Sequence, residues 1–181
     1  MKNKNNNLNL AYGAILITLL IIFQYTTSFF SNQLLTGTCV NTILALSVFK
    51  TNLKTSLLVA VVSPSLAFLL GIGPKIPLFI PFLIISNCIF VYFIWLGLYY
   101  SKQKSKYSFI FLFLGICFGA VLKSFFIYLS SIYVIPLFLL LNDLQKKMLG
   151  MAFSFVACIS SILGGFLAYW IDRTTILKKV L

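Results

Sequence analysis

Long apolar stretches separated by short polar connections run through the whole chain. Polar breakers and basic residues divide them into six segments, and a helix needs roughly 20 residues to cross a bilayer. Two segments, 34–49 and 55–70, are shorter than this, which suggests helices buried among neighbours or starting partway into the membrane. We therefore predict six transmembrane helices, at about 10–30, 34–49, 55–70, 78–100, 108–133 and 148–171.

The composition excludes a soluble protein. Hydrophobic residues make up 61% of the chain and charged residues 9%, and the mean hydropathy is +1.05. Too little polar side-chain surface remains to cover an apolar core of this size. We expect an all-α integral membrane protein of a bacterial plasma membrane, with residues 1–181 forming one compact bundle.

Basic residues are distributed unequally between the two ends of the predicted helices. Ten lie on one side, three on the other, and Lys123 is the remaining one of fourteen. The positive-inside rule then predicts that both termini are cytoplasmic, and an even number of spans agrees because it places both termini on the same side. The cytoplasmic set is Lys2, Lys4, Lys50, Lys54, Lys102, Lys104, Lys106, Arg173, Lys178 and Lys179, and the outer set is Lys75, Lys146 and Lys147.

Several chemistries lack the groups they require. The chain has no histidine, no pair of neighbouring acidic residues, no G-x-S-x-G and no phosphate-binding G-x-x-x-x-G-K-[ST]. Its four cysteines fall within predicted spans without a C-x-x-C pair, which favours packing over metal binding. We expect no enzyme activity, no catalytic or metal site and no cofactor.

Lys123 is the one ionisable residue predicted to lie deep within a span. Every other residue from Phe109 to Ile135 is uncharged, and an ammonium at the bilayer centre costs at least about 3 kcal/mol. The only acidic residues, Asp143 and Asp172, lie near segment ends. The counter-charge is then an anionic ligand, unless the lysine snorkels to an interface or caps free carbonyls.

Small residues at helical spacing predict which faces point inward. Gly115 and Gly119 share one helix face with Lys123, so a close helix contact on that face directs the lysine into the bundle. The last span has a similar stripe: Ser154, Ala157, Ser161, Gly164 and Ala168.

Two amides lie at a depth similar to that of Lys123. At 1.5 Å per residue, Asn41 lies about 10 Å from the outer end of its helix, Asn87 about 14 Å and Lys123 about 15 Å. The three side chains are therefore candidates to bind one ligand. Alternatively, the two amides hold helices together through hydrogen bonds.

Three further segments contain helix-breaking or flexible residues. Ser63-Pro64 interrupts the third span, as a cavity lining or as a plain kink. Residues 71–81 contain three prolines and two glycines, which predict an irregular outer loop with Lys75 at its tip. Residues 31–37 form a short outer connection, interpreted either as a lid over the site or as a simple turn.

These residues together resemble a known family of membrane proteins, the substrate-binding S components of energy-coupling factor (ECF) transporters. The likeness covers most of the chain in length, number of spans and motif order. It rests on Gln33-Leu34-Leu35-Thr36-Gly37 with Val40-Asn41, Ser63-Pro64-x-x-Ala67, Gly71-Ile72-Gly73-Pro74 with Pro77 and Pro81, Asn87, and Gly119 with Lys123.

The resemblance implies a subunit that captures a vitamin or related micronutrient from outside the cell. Its partners would be a transmembrane coupling subunit and two cytoplasmic ATPases, which supply the missing nucleotide chemistry. In the family, small residues on the first helix contact the coupling subunit, and here they are Ala11, Ala14 and Thr18. The predicted substrate site comprises Lys123, Asn41, Asn87, Gln33 and Thr36.

Lysine and amides suit a carboxylate such as niacin, biotin, lipoate, pantothenate or a folate, and the spacing does not choose among them. The alternative function is a non-transporting membrane scaffold of cell-envelope or cell-shape assembly, similar in size to the rod-shape protein D family. A scaffold has no need of polar groups gathered at one depth.

The predicted orientation can be tested by cysteine accessibility. With a membrane-impermeant thiol reagent outside intact cells, a cysteine replacing Lys75 is expected to react and one replacing Gln103 to be protected. The unsubstituted chain, with its four native cysteines, gives the background. Reaction at position 103 with protection at position 75 would invert the orientation.

Overall fold

Six α-helices are formed by the part of the chain that the structure describes. The computed structural model describes residues 2–30, 32–71, 77–103, 108–134 and 143–180, and no strand occurs among them. A 3₁₀ turn at Pro77–Phe79 precedes α4, and a π-helical turn at Ser130–Val134 extends α5. The helices are α1 (Lys2–Ser28), α2 (Gln33–Lys50), α3 (Leu53–Leu69), α4 (Ile80–Gln103), α5 (Ser108–Leu129) and α6 (Asp143–Val180). The predicted all-helical architecture is confirmed.

Two asparagines set the beginnings of α2 and α3. The Asn32 side chain accepts hydrogen bonds from the backbone N–H groups of Leu34 and Leu35, at 3.1 and 3.3 Å. Asn52 does the same for the N–H of Thr55, at 2.8 Å. Asparagine is a strong N-cap because its short side chain reaches these free donors.

The helix that begins after Asn32 corrects one prediction. Residues 33–37 form the first turns of α2 rather than a flexible lid or a simple turn. Ser31, the first residue of the predicted connection, lies outside the described residues.

Four of the helices are long and apolar enough to cross a membrane. Their spanning stretches are Asn7–Ser28, Ile80–Ser101, Phe109–Tyr133 and Gly150–Thr174, whereas Leu53–Leu69 is apolar but shorter. Large hydrophobic side chains are exposed around the bundle, a surface suited to lipid rather than to water. They include Leu19, Phe113, Val121, Phe155 and Trp170.

The short helix α2 is enclosed by its neighbours. It packs against α1, α3, α4 and α6, and most of its second half is buried. This agrees with the expectation that a segment of this length lies among other helices.

Two predicted boundaries differ from the structure. The last helix extends beyond 148–171 at both ends, because polar residues that end a spanning stretch do not end a helix.

The predicted irregular segment 71–81 is only partly irregular. Gly71 has a positive φ of 69°, but Pro81 lies in the first turn of α4, where a proline needs no N–H partner. Residues 72–76 of this segment, which include Lys75, lie outside the described residues.

Glycines allow α4 and α5 to pack with their backbones in contact. A Cβ atom on Gly115 would lie 2.8 Å from the carbonyl oxygen of Phe93 and 3.0 Å from the Cα of Gly97. The Gly115–Gly119–Lys123 face therefore points toward α4, as predicted. The small-residue stripe of α6 is likewise interior, and Gly164 packs against Asn41 and Thr42 of α2.

We expect Gly115→Ala to destabilise the bundle. The added methyl group meets backbone atoms, which cannot move without separating the helices, so the cost is about 1–3 kcal/mol. Thermal unfolding, followed by reaction of the four native cysteines with a fluorescent thiol reagent, measures the change.

Gly150→Ala is the matched control, because its nearest contacts are side-chain atoms of Ile132 and Tyr128 that can shift. A rise in the midpoint for Gly115→Ala would contradict the close packing of α4 and α5.

Candidate ligand-binding site

The ammonium group of Lys123 lies at the centre of a polar cluster inside the bundle. Its Nζ donates to Asn41 Oδ1 at 2.6 Å and to Asn87 Oδ1 at 2.8 Å, and it lies 5.2 Å from the centre of the Phe90 ring. Lys123 is only 5% exposed. The lysine therefore joins α5 to α2 and α4 and does not snorkel to an interface.

A chain of hydrogen bonds fixes the orientation of Asn41. Ser160 of α6 donates its hydroxyl to the carbonyl of Ala157 at 3.2 Å and accepts from Asn41 Nδ2, also at 3.2 Å. The amide nitrogen of Asn41 is thus engaged with α6, which leaves Oδ1 to face the ammonium. Asn41 therefore links α2 to α6 through one hydrogen bond and accepts a second one from Lys123.

The charge of Lys123 is surrounded by neutral groups. Its two side-chain acceptors in the described part of the chain are amide oxygens, whereas an ammonium can donate three hydrogen bonds. The carboxylate of Asp172 pairs with Lys50 at 2.6 Å, beyond the C-terminal end of α2's buried stretch. Asp172 is therefore not the counter-ion of Lys123.

A cavity of about 590 Å³ lies directly beside this cluster. This volume is in the range of about 300–1,000 Å³ typical of small-molecule sites. The cavity is lined by the C-terminal parts of α1, α3 and α5 and by the N-terminal parts of α2, α4 and α6. Successive helices therefore run in opposite directions, and the cavity occupies the half of the bundle away from the Lys50–Asp172 ion pair.

Lys123, Asn41 and Asn87 form the floor of this cavity. The main apolar core contains Leu44, Val59, Ile94 and Ile116, which all lie on the Lys50–Asp172 side of the three polar residues. Phe79, Leu83, Ile127 and Phe153 line the cavity on the other side. The polar cluster thus lies between the cavity and the closed apolar core.

The structure brings all five predicted site residues to the same cavity. Gln33 and Thr36 line it from the first turns of α2, together with Lys123, Asn41 and Asn87. The Thr36 hydroxyl donates to the Asn32 carbonyl at 3.2 Å, so its hydrogen bond is made within its own helix.

The predicted docking residues lie elsewhere. Ala11, Ala14 and Thr18 are exposed on α1, and Leu16 and Leu20 of the same helix point into the core. This surface is free for contact with another helix, and its role as a docking face stays a prediction.

Sequence reasoning missed several polar residues that line the cavity, among them Gln24, Thr27, Ser28 and Ser160. Gln24 lines the cavity from α1, and Ser160 supports Asn41 from α6. Gln24 is the only amide within the predicted first span, a signal that could have identified it. Ser160 could not be separated from its neighbour Ser161 without knowing the rotation of α6.

Ser63 and Pro64 also line the cavity. Pro64 lies inside α3, which continues through it. Because proline has no N–H, the carbonyl of Ala60 loses its usual intrahelical partner at this level. The position of Ser63 and Pro64 therefore supports the interpretation that this pair lines a cavity.

In comparisons with protein-family models, curated proteins and solved structures, nothing was found that matches this chain.

Proposed function

We propose that this protein is the membrane-embedded binding subunit of an ATP-driven ECF importer, and that it captures a small anionic vitamin or related micronutrient from outside the cell. The observation that supports this most directly is the buried Lys123 ammonium, which faces a cavity of about 590 Å³ and has neutral amides as its described hydrogen-bond partners.

An anionic ligand follows from the electrostatics of the site. Amide oxygens stabilise the ammonium as dipoles, but they leave its full positive charge in a region of low dielectric constant. A carboxylate at the cavity floor would neutralise this charge and accept the remaining N–H. No other ionisable group lines the cavity among the described residues.

The proposed partners supply what the chain lacks. It contains no phosphate-binding loop, so ATP hydrolysis is assigned to two cytoplasmic ATPases and force transmission to a transmembrane coupling subunit. The exposed Ala11, Ala14 and Thr18 would admit a helix of that coupling subunit at short distance, because small side chains allow close backbone approach. Both termini are proposed to be cytoplasmic, so the cavity opens outward.

We expect Lys123→Met to abolish high-affinity binding while the bundle stays folded. Methionine keeps the apolar stem, but the carboxylate of the ligand becomes a buried ion without a partner, which typically costs about 3–5 kcal/mol. This corresponds to a loss of roughly a hundredfold to several thousandfold in affinity. Native mass spectrometry of the purified protein identifies the bound molecule, and calorimetric titration measures its affinity.

Lys50→Met is the matched control, because it removes a lysine that pairs with Asp172 outside the cavity. Niacin, biotin, lipoate, pantothenate and folate form the titration panel when no molecule copurifies. If Lys123→Met binds each of these acids as tightly as the wild-type protein does, Lys123 is not part of the binding site. The scaffold alternative predicts that none of them binds to either protein.

Uptake provides a separate test of the proposed partners. Reconstituted alone in vesicles, the chain is expected to bind its substrate without accumulating it. Accumulation against a gradient should require coexpressed coupling and ATPase subunits together with ATP. Concentrative uptake by the chain alone would refute the division of labour.

A further inference from the structure

Ser63 differs from most of the other buried hydroxyls of the bundle. In a membrane helix, a buried serine or threonine commonly donates to a carbonyl one turn back in its own helix. Ser63 is 2% exposed, and its Oγ has no hydrogen-bond partner among the described residues. The buried hydroxyls that do bond back include those of Thr27, Thr42, Ser47, Ser56, Ser86, Ser124, Ser130, Ser131 and Ser160.

Gln24 of α1 has the same unusual property. It is 5% exposed, and its Oε1 has no partner within the described part of the chain. A buried polar atom without a hydrogen bond is costly, and such atoms are rare in native structures. Both Gln24 and Ser63 line the cavity, whereas Ser161, whose Oγ is also unpartnered, does not.

The two residues approach the cavity from helices that do not carry Lys123. Helix α1 packs against α2 and α3, whereas α5 packs against α4 and α6. Gln24 on α1 therefore lies across the cavity from the ammonium on α5, and Ser63 lies on α3, which packs against α1 and α4. The wall between these polar groups has apolar residues, namely Phe79 of the 3₁₀ turn, Leu83 of α4, Ile127 of α5 and Phe153 of α6.

We propose that Gln24 and Ser63 form a second polar subsite, which binds a neutral amide-type group of the ligand. The Gln24 carbonyl oxygen would accept from the N–H of this group, and the Ser63 hydroxyl would donate to its C=O. The substrate is then a carboxylate with an apolar middle and a neutral hydrogen-bonding end, rather than a purely aliphatic acid. This inference rests on the proposed function, because Lys123 holds the carboxylate.

Matched synthetic acids test the subsite without knowledge of the natural substrate. The probes are 4-acetamidobutanoate, 6-acetamidohexanoate and 8-acetamidooctanoate, each compared with the straight-chain acid of equal length: heptanoate, nonanoate and undecanoate. Binding is measured by calorimetry on protein in lipid nanodiscs, with empty nanodiscs as the reference. The three lengths sample the span between the two polar groups.

At one or more lengths, the acetamido acid is expected to bind at least about fivefold more tightly than its aliphatic match, since each hydrogen bond contributes about two- to tenfold. Gln24→Leu and Ser63→Ala should each reduce that ratio by about two- to tenfold. Both variants should unfold at the same temperature as wild type or higher, because each removes an unpaired buried polar atom. Ser161→Ala, which removes an unpartnered hydroxyl outside the cavity, should leave the ratio unchanged.

The Lys123→Met variant distinguishes failure of the proposed subsite from failure of the proposed function. Equal affinities for both acids at every length, or a ratio that survives Gln24→Leu and Ser63→Ala, would overturn the subsite. The proposed function survives that result when Lys123→Met weakens both kinds of acid together. Where no acid binds, or where Lys123→Met changes neither affinity, the proposed function is wrong and the subsite is wrong with it.

Discussion

One buried charge, the Lys123 ammonium, lies at the point where four helices of the bundle meet. The Lys123 ammonium donates hydrogen bonds to amide oxygens on α2 and α4. One of these amides, Asn41, in turn donates a hydrogen bond to Ser160 of α6. Hydrogen bonds of this kind require heavy-atom distances near 3 Å, so four helices must hold fixed positions around Lys123. The glycine contacts of α4 with α5 and of α2 with α6 provide that closeness.

Rough magnitudes explain how the charge can persist without a ligand. Burying an ammonium in a membrane costs at least about 3 kcal/mol, and a hydrogen bond to a charged group contributes about 1.5–3 kcal/mol. Two amide oxygens therefore offset the smallest estimate of the cost. They do not neutralise the charge, so the same site that tolerates the free ammonium still attracts an anion. A carboxylate of the protein in place of one amide would have removed that attraction.

Much of the fold and part of the site could be predicted from the sequence. Hydropathy located the six helices, and the spacing of Gly115, Gly119 and Lys123 predicted the inward-facing side of α5. The rise per residue placed Asn41, Asn87 and Lys123 at one level, where the structure joins them. Features that depend on contacts between distant segments, such as the Asn41–Ser160 hydrogen bond, could not be predicted. The beginning of α2, in contrast, could have been predicted from the sequence, because Asn32 is a strong N-cap residue. The segment that follows Asn32 was instead interpreted as a loop.

The position of the polar cluster also constrains how a bound molecule could cross the protein. On the Lys50–Asp172 side of Lys123, the bundle is a closed apolar core with Leu44, Ile94 and Ile116 fully or almost fully buried. A ligand bound in the cavity would meet this core directly below the ammonium. In the proposed importer, release on the opposite side would therefore require the helices to separate or the whole bundle to reorient. Separation would expose the Lys123 charge and its amides to lipid, whereas reorientation keeps the network intact. In the proposed importer, the energetic cost of breaking that network would favour movement of the bundle as a unit, driven by the proposed partner subunits.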